Sequence, residues 1–151
     1  MANCFFCIST GTGIDAVADI FRRPVAYVNY DQLTQMVTGS KSITVPKKLY
    51  WIKKGRYLTL TEQLKHSYDS TEKYENAKID VRDLSEEAIQ QVVLELEARL
   101  TGKWEESDED RELQARFWEL YKSYPGFEKN HDQLFVDFLH QTFLYFVLRR
   151  F

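Results

Sequence analysis

A chain of 151 residues has room for one ordinary domain. Twenty Lys and Arg against 23 Asp and Glu leave a net charge of −3, which excludes a general nucleic-acid binder, since neutralising phosphates needs a concentrated positive face. Apolar residues at 44% and aromatics at 15% exclude wholesale disorder, and two cysteines are too few for a disulfide framework.

Asn3-Cys4-Phe5-Phe6-Cys7-Ile8 is a nearly unbroken apolar run, which predicts a strand buried on both faces, as in a parallel sheet. Ser9-Thr10-Gly11-Thr12-Gly13 ends it. Ile14, Val17, Ala18 and Phe21 then recur at helical spacing, with Arg22-Arg23 at the helix end and Pro24 as the stop. Val25-Ala26-Tyr27-Val28-Asn29 is rich in β-formers and predicts a second strand. Strand, glycine loop, helix and strand make a βαβ unit with a right-handed crossover. Residues 30–42 read as loop with a helical turn near Leu33–Val37, and Ile43-Thr44-Val45 as a third short strand stopped by Pro46.

Lys41, Lys47, Lys48, Lys53, Lys54 and Arg56 form a basic stretch with no acidic residue between them. It reads as a solvated face, a phosphate contact or a contact with anionic lipid. Thr59-Leu60-Thr61-Glu62 has the spacing of a capping box and predicts a short helix. Residues 67–83 are weakly patterned and read as surface loop.

The second half is helical. Asp83-Leu84-Ser85-Glu86 opens a helix whose apolar face is Ile89, Val92, Val93, Leu96 and Leu100, with Gly102 as the stop. Ser107-Asp108-Glu109-Asp110 places negative charge at the next helix start, and Leu113, Phe117, Leu120, Tyr121 and Tyr124 follow at helical spacing. From Leu134 to Leu148 the chain is densely apolar. A helix packed on the sheet, an exposed interaction surface and peripheral membrane attachment all fit that tail. The expected architecture is α/β: residues 1–82 form a Rossmann-like βαβ portion with a small, mainly parallel sheet, and residues 83–151 form a helical C-terminal region with an atypical tail over 134–151. The first ten residues lack the pattern of a secretion signal, and no apolar run reaches the roughly 18 residues of a membrane-spanning helix, so a cytoplasmic location is expected.

Ser9–Gly13 lies where a parallel strand gives way to a helix. Glycines permit tight backbone geometry there, the first helical N–H groups lack partners, and the helix dipole favours an anion. Two readings stand: a cradle for a diphosphate, or a tight turn in which Thr12 caps the helix. The loop lacks the lysine of a phosphate-binding P-loop, and no acidic residue closes the second strand, which ends in Asn29. Cys4 and Cys7 point to opposite faces of a strand and read as buried hydrophobes. His66, His131 and His140 have no metal-ligand spacing.

The run from Cys4 to Tyr30, with its Ser9–Gly13 loop, the helix Ile14–Phe21, Arg22-Arg23-Pro24 and the strand Val25–Tyr30, resembles the nucleotide-sugar-binding core of GT-B-type glycosyltransferases. More narrowly, it is similar to a bacterial family from surface-polysaccharide gene neighbourhoods. Val45-Pro46-Lys47-Lys48-Leu49 and Leu58-Thr59-Leu60-Thr61-Glu62 extend the likeness, which covers roughly residues 4–125. The resemblance implies two lobes with the active site between them. Ser9, Thr10, Gly11, Thr12 and Gly13 would face the donor diphosphate, Asn29 and Tyr30 would lie near the same crevice, and Glu62 would touch the ribose or simply close its capping box. Donor binding of this kind needs no metal and no cofactor beyond the nucleoside-diphosphate sugar. A two-lobe enzyme needs about twice this length, so the chain is expected to be the C-terminal, donor-binding lobe alone. It would be inactive without an N-terminal lobe or partner chain, which would bring the acceptor base. No catalytic residue can be named. The contrasting expectation is a non-catalytic interaction module of the same fold that binds a partner through its apolar tail.

Overall fold

The computed structural model describes residues 2–35 and 41–125, and of the last residues the backbone of 144–146. Strand β2 (Val25–Tyr30) organises the first sheet. Its Val25, Ala26, Tyr27 and Val28 are all buried, the pattern of a strand covered on both faces. It runs parallel to β1 (Cys7–Ser9) on one side and to β3 (Ser42–Pro46) on the other, and β7 (Leu144–Phe146) adds in parallel beyond β3. The order β1-β2-β3-β7 therefore advances in one direction across the sheet. The β2–β3 register shifts between Tyr27 and Tyr30, and Asn29 sits at φ 53° inside that irregularity. Asparagine tolerates the left-handed region better than a β-branched residue does, so the strand bends here at low cost.

Helices cover both faces. Helix α1 (Asp15–Ile20) packs on β1, and α5 (Asp108–Lys122) lies on the same side, where Ala18, Val25, Tyr27, Tyr30, Phe117 and Tyr121 share one cluster. Phe117 is fully buried and stacks on Tyr121 with centroids 5.5 Å apart. The Tyr121 hydroxyl donates to the Leu33 carbonyl at 2.9 Å, and burial holds its phenol well above the ordinary tyrosine range. Helix α4 (Glu86–Leu100) covers the opposite face. Its Val92 and Leu96 meet Ala26, Val28, Ile43 and Val45. Each such buried side chain contributes about 1.5–3 kcal/mol.

Both long helices begin as their sequence requires. The Ser85 hydroxyl accepts from the Ala88 amide at 3.3 Å, and Ser107 and Asp110 close a reciprocal capping box. The short helix α2 (Leu60–Lys65) starts from the box formed by Thr59 and Glu62. Because α4 and α5 share clusters with the parallel sheet, the helical half packs on the first half directly.

A second sheet was not foreseen. Strand β4 (Lys48–Trp51) lies antiparallel between β5 (Arg56–Tyr57) and β6 (Ile79–Arg82). Residues 67–83 are thus not loop: they hold helix α3 (Thr71–Asn76) and β6. Elements of six and four residues leave little periodicity, and β6 takes its extended form from pairing with β4. Leu49, Leu58, Tyr74 and Ile79 form a small core on one face. On the other, Tyr50 meets Tyr57 edge to face, and the Arg82 guanidinium lies 3.9 Å from the Tyr50 centroid.

Three further expectations are corrected. Strand β1 covers only Cys7–Ser9 and, among the described residues, has a neighbouring strand on one side only; Phe5 and Ile8 are exposed rather than buried. Cys4 lies outside the strand, and both cysteines are free and half-buried. The tail 134–151 lies outside the described residues except for Leu144–Phe146, which are strand and not helix. Among the described residues no helix is long and apolar enough to cross a membrane.

Candidate functional site

The loop after β1 is shaped by its own side chains. Ser9 is buried, and its hydroxyl donates to Asp15 Oδ1 at 3.1 Å. The Gly13 amide donates to the same carboxylate oxygen at 2.9 Å, and the Gly11 amide donates to Ser9 Oγ at 3.1 Å. Asp15 is the first residue of α1, so its buried carboxylate folds back over the loop and occupies the place where a helix start attracts an anion. Two amides expected to face a diphosphate are thereby turned onto oxygens of the chain itself. The turn reading also needs correction: the residue preceding the helix is Ile14, with no side-chain cap, and Thr12 caps nothing.

Gly11 is required by space as well as by φ. At φ 79°, a Cβ there would stand 2.6 Å from Cε2 of Tyr30, closer than real atoms approach. The Tyr30 ring therefore lies against the loop backbone, while its hydroxyl donates to the Gln35 carbonyl at 2.9 Å. Beside that contact Thr10, Gly11, Tyr30, Asp31, Gln32 and Gln35 line an open polar pocket of about 220 Å³. It lies at the carboxyl ends of β1 and β2, where open parallel sheets place ligands. Among the described residues, the lining carries one carboxylate, Asp31, and no cation. Hydroxyl groups suit it better than phosphates do.

The remaining expected contacts lie elsewhere. Asn29 Oδ1 accepts from the Leu84 amide at 2.6 Å, tying β2 to the start of α4. Glu62 takes two 2.7 Å hydrogen bonds from the Arg56 guanidinium and one of 2.9 Å from the Thr59 amide. Arg56 holds its carboxyl well below the usual carboxylate range. The capping-box alternative accounts for Glu62, which is absent from the pocket lining. The basic stretch likewise spreads over the second sheet: Lys54 lies over Trp51 and pairs with Glu62 at 3.6 Å, and Lys47 pairs with Asp83 at 3.5 Å. His66 Nδ1 is 2.8 Å from the Tyr68 hydroxyl, a structural contact, and His131 and His140 lie outside the described residues.

Of the expected residues, Thr10, Gly11 and Tyr30 line the pocket; Ser9 and Gly13 support the loop behind it. Asp31 is the residue missed. Strand β2 runs to Tyr30 rather than stopping at Asn29, so an acid does follow the second strand of the βαβ unit, where nucleotide-binding folds present a carboxylate to ribose hydroxyls. Compared with protein-family models, with curated proteins and with solved structures, the chain matches none.

Proposed function

We propose that the chain is the donor-binding lobe of a nucleotide-sugar-dependent glycosyltransferase of surface-polysaccharide assembly, built on a Rossmann-like arrangement. One observation carries the proposal: a polar pocket that the carboxylate of Asp31 helps to line, between the glycine loop after β1 and the end of β2. A carboxylate flanked by Thr10, Gln32 and Gln35 offers acceptors and donors for vicinal hydroxyls, as a ribose or a sugar presents them. Because Asp15 takes the Gly13 amide, the donor is gripped here by its hydroxyls, and its diphosphate lies toward solvent or a facing lobe. On this proposal the acceptor side belongs to another lobe or chain, and these 151 residues bind donor without turning it over. We place the chain in the cytoplasm, whose reducing conditions keep Cys4 and Cys7 as thiols.

Calorimetric titration with a panel of nucleoside diphosphates and their sugars tests this. At least one should bind saturably, while inorganic pyrophosphate alone should not bind. Thr10→Trp, which fills the pocket, should abolish binding, and Asp31→Ala should weaken it by roughly 10-fold or more, the loss of hydrogen bonds to a charged acceptor. Absence of binding across the panel, or binding indifferent to both variants, would overturn the proposal.

A further inference from the structure

The groups around the polar pocket differ in what they have left to offer a ligand. The Tyr30 hydroxyl donates to the Gln35 carbonyl, and the Gly11 amide to Ser9 Oγ. The side chains of Thr10, Asp31, Gln32 and Gln35, by contrast, make no hydrogen bond among the described residues. These four line one opening of about 220 Å³. A site that takes in a drug-sized ligand whole occupies roughly 300–1,000 Å³, so the pocket has room for one sugar ring and not for an entire nucleotide sugar. The ribose of a nucleotide has only its vicinal pair of hydroxyls free. A hexopyranosyl ring carries hydroxyls around most of its rim, each able to donate and to accept, and so matches a carboxylate, two side-chain amides and a hydroxyl better.

Charge narrows the choice further. Asp31 lines the pocket and also an adjoining recess, which it shares with Lys47 and Tyr74. Lys47 pairs with Asp83 at 3.5 Å, so the cation of that recess already has a carboxylate of its own. A ligand carboxylate seated beside Asp31 would meet a like charge within a few ångströms, in a site only partly open to water. A neutral hydroxyl in the same place meets no repulsion and donates to the carboxylate. Resting on the donor-binding proposal, we infer that this pocket seats the transferred sugar and not the ribose, that the sugar is a neutral hexose, and that Asp31 turns away uronic acids and other anionic sugars.

Calorimetric titration of the full chain with matched probes tests this. The probes are a nucleoside diphosphate, the same diphosphate carrying a hexose, the same carrying a hexuronate, and the hexose form built on 2′-deoxyribose. The hexose form should bind about 10-fold tighter than the bare diphosphate, and loss of the 2′-hydroxyl should change its affinity by less than about 2-fold. At low salt the hexuronate form should bind about 10-fold weaker than the hexose form, and the gap should narrow as salt screens the repulsion. Asp31→Asn keeps the shape of the side chain and removes its charge, so it should bring hexose and hexuronate forms within about 2-fold of each other. No binding by any probe would remove this inference together with the donor-binding proposal. Binding that Thr10→Trp abolishes, but with hexose and hexuronate held equally or with affinity set by the 2′-hydroxyl, would overturn this inference alone. So would a preference for the hexose form that neither salt nor Asp31→Asn reduces.

Discussion

In the parallel sheet, β2 and β3 present Val25, Ala26, Tyr27, Ile43 and Val45 to helices on both sides, with Ser42 and Thr44 of β3 buried among them. In the antiparallel sheet a core of four buried residues lies on one face, bordered by Trp51 with Lys54 over its ring and by Arg56 on Glu62, while on the other face Tyr50 meets Tyr57 and Arg82 lies over Tyr50. The first sheet gains its stability from area removed from water, which salt and pH barely touch. The second draws on exposed electrostatic contacts that are individually weak and sensitive to both. The polar pocket lies with the first, at the ends of strands held rigid by their burial.

The sharpest way to break the comparison is Phe117→Ala. It empties a fully buried position of the parallel unit and should lower unfolding stability by about 3–5 kcal/mol in urea titration. Gly11→Ala should cost about 2–3 kcal/mol, since a left-handed φ is joined by a collision with Tyr30, and the pocket should be distorted with it. Asp15→Ala strands the Ser9 hydroxyl and the Gly13 amide, for about 2 kcal/mol by the same titration. Thr59→Ala removes the cap of α2 beside the antiparallel sheet and should cost about 1 kcal/mol.

Glu62→Gln should give the smallest loss and the one that depends on pH. Arg56 lowers the folded-state pKa of Glu62 below its ordinary value of 4.5, so its stabilisation is complete above that value and is lost as pH falls toward the folded-state pKa. The difference in melting temperature between Glu62→Gln and the unaltered chain should therefore be largest near neutral pH and shrink on acidification below about 4.5. A difference independent of pH would show that the capping geometry, and not the charge pair, is what Glu62 provides.

Elements whose own residues carry a complete local signal were legible beforehand. The spacing of Ile89, Val92 and Leu96, the capping box at Thr59, the acidic helix start after Ser107, and the β-rich run from Val25 all lie where expected. Each is decided within a few residues by periodicity or by one hydrogen-bonded cap. Strand β6 was illegible because its four residues become a strand only against β4, more than 25 positions earlier. At the site, the glycine loop could be located but not the direction of its amides, because Asp15 reads equally well as an ordinary first-turn acid. Asp31 was missed through a boundary: the left-handed Asn29 looks like a strand end, whereas the strand only bends there and continues.

By itself, then, the chain of residues determined the βαβ start, the helix limits and the uncharged character of residues 3–14, since these follow from local sterics, caps and the period of apolar side chains. Only tertiary structure decided that β2 would pair with both β1 and β3, that Asp15 would fill the head of α1, and that Asp31 would line a pocket with Thr10. Those outcomes depend on which distant surfaces come together, and a local pattern holds no information about the partner it will face.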